Sequence, residues 1–132
     1  MRPVDQEFLY QETPRVYGDC MRASIASLLS LPIADVPHFV ALAQGDSYET
    51  YCLIEDFLFS RGYDVLWQIN LEDHRVSGAD TYHLMSGLSP RGISHMVVGR
   101  NGEVFHDPHP SRAGLLPEGR THHVIRNFKS TI

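Results

Sequence analysis

The sequence predicts a single α+β domain, in which helices come first and an antiparallel sheet follows. Apolar residues recur with helical spacing through the first half of the chain and alternate as in strands through the second half. The chain has 132 residues, 42% of them apolar, which is enough to bury a core without disulfide or metal support. We therefore expect residues 1–132 to form one domain. The class should be α+β, because helices segregated from strands are typical of it.

Three helices are predicted after an extended N-terminal segment. The first begins at Asp19 and ends before Pro32, and its apolar stripe consists of Met21, Ile25, Leu28 and Leu29. A second, short helix is predicted over residues 33–43, and a third over residues 47–61. Gly62 follows the third helix at the position where glycine ends many helices.

The second half of the chain predicts five strands. Alternating or continuous apolar residues place them at 63–69, 81–88, 94–99, 103–107 and 122–128. Asn101-Gly102, between the third and fourth of these, is a strong signal for a tight β-hairpin. The sheet is therefore expected to be antiparallel.

Composition excludes several classes of partner. The net charge is −5 and no basic stripe is present, which argues against nucleic-acid binding. No apolar run approaches the ~18 residues of a membrane span, and the N-terminus lacks the apolar segment of a signal peptide. Two cysteines are too few for a disulfide framework. The sequence predicts a cytoplasmic protein that binds neither nucleic acid nor membrane.

Cys20 is the strongest candidate for a nucleophile. It opens the first helix, where free backbone N–H groups and the helix dipole favour the thiolate form. Cys52, in the middle of the third helix beside Leu53 and Ile54, is expected to be a core residue.

His95 and Asp107 are the expected companions of Cys20. His95 begins the apolar strand that continues through residues 96–98, where an imidazole has little structural purpose. Asp107 stands at the end of the partner strand, where its carboxylate can orient that imidazole. A nucleophile, a base and an orienting acid in this order form a catalytic triad.

The triad requires a particular hairpin register. A regular two-residue turn at Asn101-Gly102 would place Asp107 opposite Met96, on the other face of the sheet from His95. A three-residue loop, Arg100-Asn101-Gly102, would bring His95 opposite Asp107. An equivalent offset of one residue, such as a bulge at Gly99, would also place both side chains on one face.

A metal site is the competing chemical hypothesis. Seven of the eight histidines follow residue 73, and His106, His109, His122 and His123 lie near Asp107 in the sequence. Adjacent strand residues point to opposite faces, so His122 and His123 cannot both reach one ion. We expect no metal and no other cofactor, with these four histidines on the surface or at the rim of a substrate site.

Two stretches resemble papain-like cysteine peptidases. The run from Gly18-Asp19-Cys20 to Leu28-Leu29 resembles their nucleophile helix, and Ser94-His95-Met96 through His106-Asp107-Pro108 resembles their His–hairpin–Asp segment. The second stretch is most similar to the bacteriocin-processing branch. Small bacterial and phage proteins share a Leu-Pro…Val-Pro-His-Phe run, here at residues 31–39. The resemblance covers roughly residues 11–39 and 94–110.

This resemblance implies a minimal papain-like fold and a protein or peptide substrate. Cys20, His95 and Asp107 would cleave a peptide, isopeptide or other amide bond through a thioester. The family usually has a glutamine six residues before the nucleophile as an oxyanion donor, but Pro14 stands there, and Gln11 is the nearest substitute. Two alternatives stay open: acyl transfer by the same residues, and a non-catalytic module that binds peptides, which Pro14 favours.

Overall fold

The computed structural model describes residues 1–74 and 78–128 and confirms the α+β class. Three α-helices precede a five-stranded antiparallel sheet in the described chain. The helices are α1 (Cys20–Leu29), α2 (Phe39–Leu42) and α3 (Ser47–Ser60), and short 3-10 turns occupy Ile33–Asp35 and Leu71–His74. The strands are β1 (Tyr63–Ile69), β2 (Tyr82–Leu88), β3 (Ser94–Arg100), β4 (Glu103–His106) and β5 (Thr121–Asn127).

Helix α1 packs against β3 because one of its faces is made of small side chains. Ala23, Ser24, Ala26 and Ser27 are all buried. The Ser24 hydroxyl donates a hydrogen bond to the Met96 carbonyl of β3 at 3.2 Å. Ser30, with a φ of 56°, ends the helix in the left-handed conformation.

The predicted continuous helix over residues 33–43 is wrong. The structure has a 3-10 turn, an extended Val36 with φ −114° and ψ 129°, and then the short helix α2. Pro37 explains the break, because a residue that precedes proline disfavours the helical conformation. In the described residues no single helix is long and apolar enough to cross a membrane, and α1 with Ile33–Leu42 meets that test only as a pair bent by 105°.

The five strands are ordered β1-β5-β2-β3-β4, and every neighbouring pair is antiparallel. The helices cover one face of the sheet. The main core lies between them and consists of Ile25, Ala26, Val36, Phe39, Ile54, Leu58, Leu84 and Met96. A smaller cluster, Met85, Val97 and Leu115 with half-buried Val104, lies on the other face. Both clusters include residues of β3, which is therefore buried along most of its length.

The N-terminal segment, residues 1–18, runs as an extended arm across the end of the domain. The backbone N–H groups of Arg2 and Val4 donate to the carbonyl and the hydroxyl of Ser27 in α1. Gln6 donates its N–H to the Pro108 carbonyl at 3.1 Å, beyond β4. The arm therefore joins the first helix to the segment that follows the hairpin.

Candidate active site

Cys20 is the first residue of α1 and is half-buried. It lines two surface cavities together with His95, the second residue of β3. The first turn of an α-helix has backbone N–H groups without partners inside the helix, and they carry the positive end of its dipole. The thiol thus lies where a negative charge is stabilised and next to an imidazole.

Asp19, directly before the thiol, is completely buried and holds the arm in place. Its carboxylate accepts the N–H of Phe8 at 2.9 Å and the N–H of Glu7 at 3.2 Å. Nη1 of Arg22, one turn along α1, lies 3.4 Å from Oδ2 of the same carboxylate and forms an ion pair with it. Asp19 therefore positions the arm beside Cys20. Its role was not predicted, because nothing in the local pattern distinguishes it from a helix cap.

His95 and Asp107 form a buried pair. Nε2 of His95 lies 2.7 Å from Oδ1 of Asp107, and the two residues are only 7% and 3% exposed. Oδ1 of Asp107 also accepts the His109 N–H at 2.9 Å, and Oδ2 accepts the Gly114 N–H at 2.7 Å. Three donors therefore hold the carboxylate in one orientation against the imidazole.

The pair is charged over the physiological range. Burial by itself would lower the pKa of His95, but hydrogen bonds and negative charge at Asp107 and Cys20 raise that pKa to about 9. Burial would raise the pKa of Asp107, but its bonds from His95 and from two backbone N–H groups lower that pKa to about 2. At neutral pH the imidazole is therefore an imidazolium, held between a carboxylate and the cysteine.

Asp107 also determines which ring nitrogen of His95 can face the cysteine. The carboxylate occupies Nε2, so Nδ1 is the nitrogen left to exchange a proton with Cys20 or with a bound substrate. An orienting acid on one nitrogen and a thiol near the other is the arrangement that activates a nucleophilic cysteine.

The hairpin reaches the required register through a bulge. Arg100 pairs with Glu103, so the turn is the two-residue Asn101-Gly102 and not the three-residue loop, which was one of the two alternatives. Both turn residues have positive φ, 52° and 90°, as a type I′ turn requires. The register then shifts between Gly99, which pairs with Val104, and Val98, which pairs with His106.

The bulge places one extra residue, Phe105, in β4 opposite the Val98/Gly99 step. That residue changes the alternation, so His95 and Asp107 come onto the same face and not onto opposite faces. The offset of one residue anticipated at Gly99 is therefore present, although it lies in the strand and not in the loop.

His83 supports the bulge from the neighbouring strand. Its ring is fully buried, its Nε2 accepts the Gly102 N–H at 3.1 Å, and its Nδ1 donates to the Leu84 carbonyl at 3.0 Å. Burial is the main cause of its lowered pKa, and the neutral ring fits these two bonds. A Cβ atom on Gly99 would collide with this ring. Position 99 therefore requires glycine, because the His83 ring lies too close to the backbone there for a Cβ atom.

Gln11 does not reach the cleft. Its side chain is exposed, and its amide donates to the Thr13 carbonyl at 3.2 Å inside a small bridge between Gln11 and Val16. Gln6, for which no role was predicted, lines the same cavity as Cys20 and His95. The Nε2 of Gln6 donates to the Phe8 carbonyl at 2.8 Å, and its Oε1 is buried without a partner in the described residues.

The cleft extends on both sides of the thiol. One cavity, of about 430 Å³, lies on the side of the arm and is walled by Leu9, Tyr10, Tyr17 and Val40. The other, of about 350 Å³, lies toward the sheet and is walled by Tyr51, Ser86, Gly87 and Gly119. Cys20, Met21, Ser94 and His95 belong to both cavities. A chain-like molecule can therefore pass the sulphur with groups on either side.

The four histidines considered as metal ligands do not meet at one point, although the His122 ring lies 5.2 Å from that of His83. His106 Nε2 contacts the Val4 carbonyl at 2.9 Å, and the His109 ring lies 6.1 Å from that of His95, at the rim of the cleft. The prediction that His123 is a surface or rim residue is wrong, since it is only 3% exposed. Within residues 1–74 and 78–128, no three His, Cys, Asp or Glu side chains are grouped so that they could hold a metal ion.

Cys52 differs from its prediction. It is half-buried and not a core residue, and it lines a separate cavity with Tyr48 and Trp67. The apolar neighbours Leu53 and Ile54 turn toward the core, whereas Cys52 lies on the neighbouring side of α3. The protein thus has two half-buried thiols: Cys20 lies beside His95, whose pKa is raised, and Cys52 shares its cavity with His123, whose pKa is lowered.

Comparisons of this chain with protein-family models, with curated proteins and with solved structures gave no match.

Proposed function

We propose that this protein is a papain-like cysteine hydrolase that cleaves an amide bond in a protein or peptide. The observation that carries the proposal is that Cys20 lines the same cavities as His95, whose ring is bonded to buried Asp107. A thiol at a helix N-terminus lies beside an imidazole whose other nitrogen is held at 2.7 Å by a buried carboxylate. Structural imidazoles in this protein, such as His83, are neutral and bonded to the backbone, whereas His95 is charged.

The first step is acylation. The sulphur of Cys20 attacks the carbonyl carbon, and the S–C bond forms as negative charge develops on the carbonyl oxygen. The imidazolium of His95 then donates its Nδ1 proton to the leaving nitrogen, the C–N bond breaks, and a thioester remains on Cys20. Asp107 stays ionised and stabilises the imidazolium, consistent with its low pKa.

The second step is hydrolysis of the thioester. Neutral His95 accepts a proton from a water molecule, and the oxygen of that water attacks the thioester carbon. The C–S bond breaks, the acid product leaves, and the thiolate–imidazolium pair forms again. The same imidazole therefore serves as acid in one step and as base in the other.

The oxyanion is stabilised by groups at the start of α1. The backbone N–H of Cys20 has no partner within the helix and is one donor. Gln6 supplies the second donor in place of Gln11, because its side-chain amide lies in the cleft. One of the two N–H groups of that amide donates to the Phe8 carbonyl, which leaves the other for the oxyanion. Loss of one such donor typically lowers kcat by about 10²–10³.

Differential alkylation of the two thiols tests this proposal. We expect iodoacetamide at pH 6 to label Cys20 at least tenfold faster than Cys52, as measured by mass spectrometry of proteolytic peptides. The reason is that both thiols are half-buried, while Cys20 is the one paired with an imidazolium. His95→Ala should remove the difference, and His74→Ala, which changes an imidazole outside the cleft, should retain it. Equal rates at Cys20 and Cys52 in the unmodified protein would contradict the proposal.

A further inference from the structure

We infer that the cleft selects substrates that carry a carboxylate, through Arg15 and Arg91; this inference rests on the proposed function. Both arginines line the cavity on the arm side of Cys20. The walls of that cavity include no aspartate or glutamate, although acidic residues outnumber basic ones by 16 to 11 in the chain. In this acidic protein, the permanently charged side chains in the wall of this cavity are therefore both arginines.

Both arginines are free of carboxylate partners in the described residues, as are Arg2 and Arg61, which lie outside this cavity. Within the described residues, five arginines are ion-paired with carboxylates: Arg22, Arg100, Arg112, Arg120 and Arg126. Arg91 instead donates to the Ser111 hydroxyl at 2.9 Å, and Arg15 lies 6.0 Å from the centre of the Tyr17 ring. Neither of them has a carboxylate partner in the part of the chain that the structure describes.

The buried groups around Cys20 leave the net charge of this space to the two arginines. The imidazolium of His95 is balanced by Asp107, which lies 2.7 Å from it, and the carboxylate of Asp19 is bonded to the arm and to Arg22. The positive end of the α1 dipole points toward Cys20. A carboxylate in the cleft would form charge-assisted, bidentate bonds with a guanidinium group.

The carboxylate could belong to an acidic side chain or to a free chain terminus, and the rest of the wall suits a peptide. Leu9, Tyr17, Val40 and Ile93 offer apolar surface next to the two arginines. We therefore assign the substrate to peptide-like amides with an acidic group a few bonds from the scissile carbonyl.

Three chloroacetyl probes test the inference on the intact protein. Each reacts by forming an S–C bond to the thiol with loss of chloride. They are N-chloroacetyl-glutamate α-amide, N-chloroacetyl-glutamine with a free α-carboxylate, and N-chloroacetyl-glutamine α-amide, which is neutral. We expect one or both anionic probes to label Cys20 at least fivefold faster than the neutral probe and with saturation. The faster anionic probe identifies whether the carboxylate is that of a side chain or of a terminus.

The double variant Arg15→Gln/Arg91→Gln should lower this preference to about one, and 0.5 M NaCl should weaken it in the unmodified protein. Arg61→Gln is the matched control, because Arg61 lies over the Phe57 ring, outside the cleft. Equal rates for all three probes, or a preference that the double variant retains, would overturn the inference and leave the proposed function standing. If Cys20 reacts with the neutral probe no faster than Cys52 does, both proposals fail.

Discussion

Asp107 acts on the site through His95, and its charge can be removed with little change in shape. In Asp107→Asn the charge and the charge-assisted bond are lost, so burial dominates and the pKa of His95 should fall well below about 9. An NMR titration of the His95 ring protons measures this shift. We also expect the alkylation rate of Cys20 at pH 6 to fall by about tenfold, since less imidazolium faces the thiol.

The control for that change is Asp64→Asn, which removes an exposed carboxylate paired with Arg126 on β5. That variant should leave both the His95 titration and the alkylation rate as they are. An unchanged pKa of His95 in Asp107→Asn would mean that the pair seen at 2.7 Å does not determine the charge of the imidazole.

Asp19 is the residue whose removal should detach the arm. Asp19→Ala leaves the N–H groups of Glu7 and Phe8 without their acceptor, and we expect a loss of about 2–3 kcal/mol in the free energy of unfolding. Urea denaturation measures the loss, and limited proteolysis should cut the arm faster. Asp80→Ala, which removes an exposed carboxylate bound to Arg100 and Asn101, should leave the free energy of unfolding almost unchanged. Similar costs for both variants would contradict this role of Asp19.

At the scale of elements, the β3–β4 hairpin depends on a glycine in the strand and not only on the turn. In Gly99→Ala the added methyl group would overlap the His83 ring and lie 2.9 Å from the Met85 side chain. Either β3 or the His83 ring would therefore have to move. We expect a loss of at least 2 kcal/mol in the free energy of unfolding, together with slower alkylation of Cys20 as the His95–Asp107 alignment is disturbed.

Gly87→Ala on the adjacent strand is the matched control. Its added Cβ would meet the Leu115 side chain at 3.5 Å, which is ordinary van der Waals contact. Gly87 lies in β2, paired with β3, so the backbone setting is similar. A cost below about 1 kcal/mol is expected there. If the two glycine variants were equally stable, crowding by His83 would not be what selects Gly99.

At the scale of the whole molecule, histidines shift stability in opposite directions with pH. His123 is buried, its Nδ1 accepts the Gln68 N–H at 3.0 Å, and its Nε2 donates to the Ser86 hydroxyl at 3.0 Å. Burial, and then the charges of His122 and His83, lower its pKa to about 4. Protonation would put an N–H against the Gln68 N–H. Stability from neutral His123 is therefore complete above pH 6.5 and is lost as the pH falls toward 4.

We expect the unmodified protein to lose about 2 kcal/mol more than His123→Gln between pH 7 and pH 5, as measured by urea denaturation at both values. Glutamine does not titrate, so the difference between the two slopes isolates this histidine. His95 has a raised pKa and contributes with the opposite sign, because its stabilisation is complete below pH 6.5 and is lost as the pH rises through about 9. Parallel slopes for the two proteins would show that His123 titrates normally.

The sequence by itself determined the class and order of the elements. All five strands were predicted to within one residue at each end, because alternation of apolar residues reports which side of a strand is buried. The end of α3 before Gly62, whose φ is 91°, also followed from local chemistry. Pro37 also indicated a break in the chain, but the apolar spacing on both sides of it led to the prediction of one helix over residues 33–43.

Only the tertiary structure decided the contacts between residues far apart in the chain. The bulge at the Val98/Gly99 step lies against His83 of β2, which packs on Gly99 and accepts the Gly102 N–H. Gln6 reaches the cavity and Gln11 does not because of the path of the arm, which is bonded to buried Asp19. A local pattern reports the burial and the conformation of each residue, whereas the partner of a polar side chain is set by packing between elements. That is why Cys20, His95 and Asp107 could be proposed as candidates from the sequence, while the bulge that aligns two of them could be derived only as a requirement.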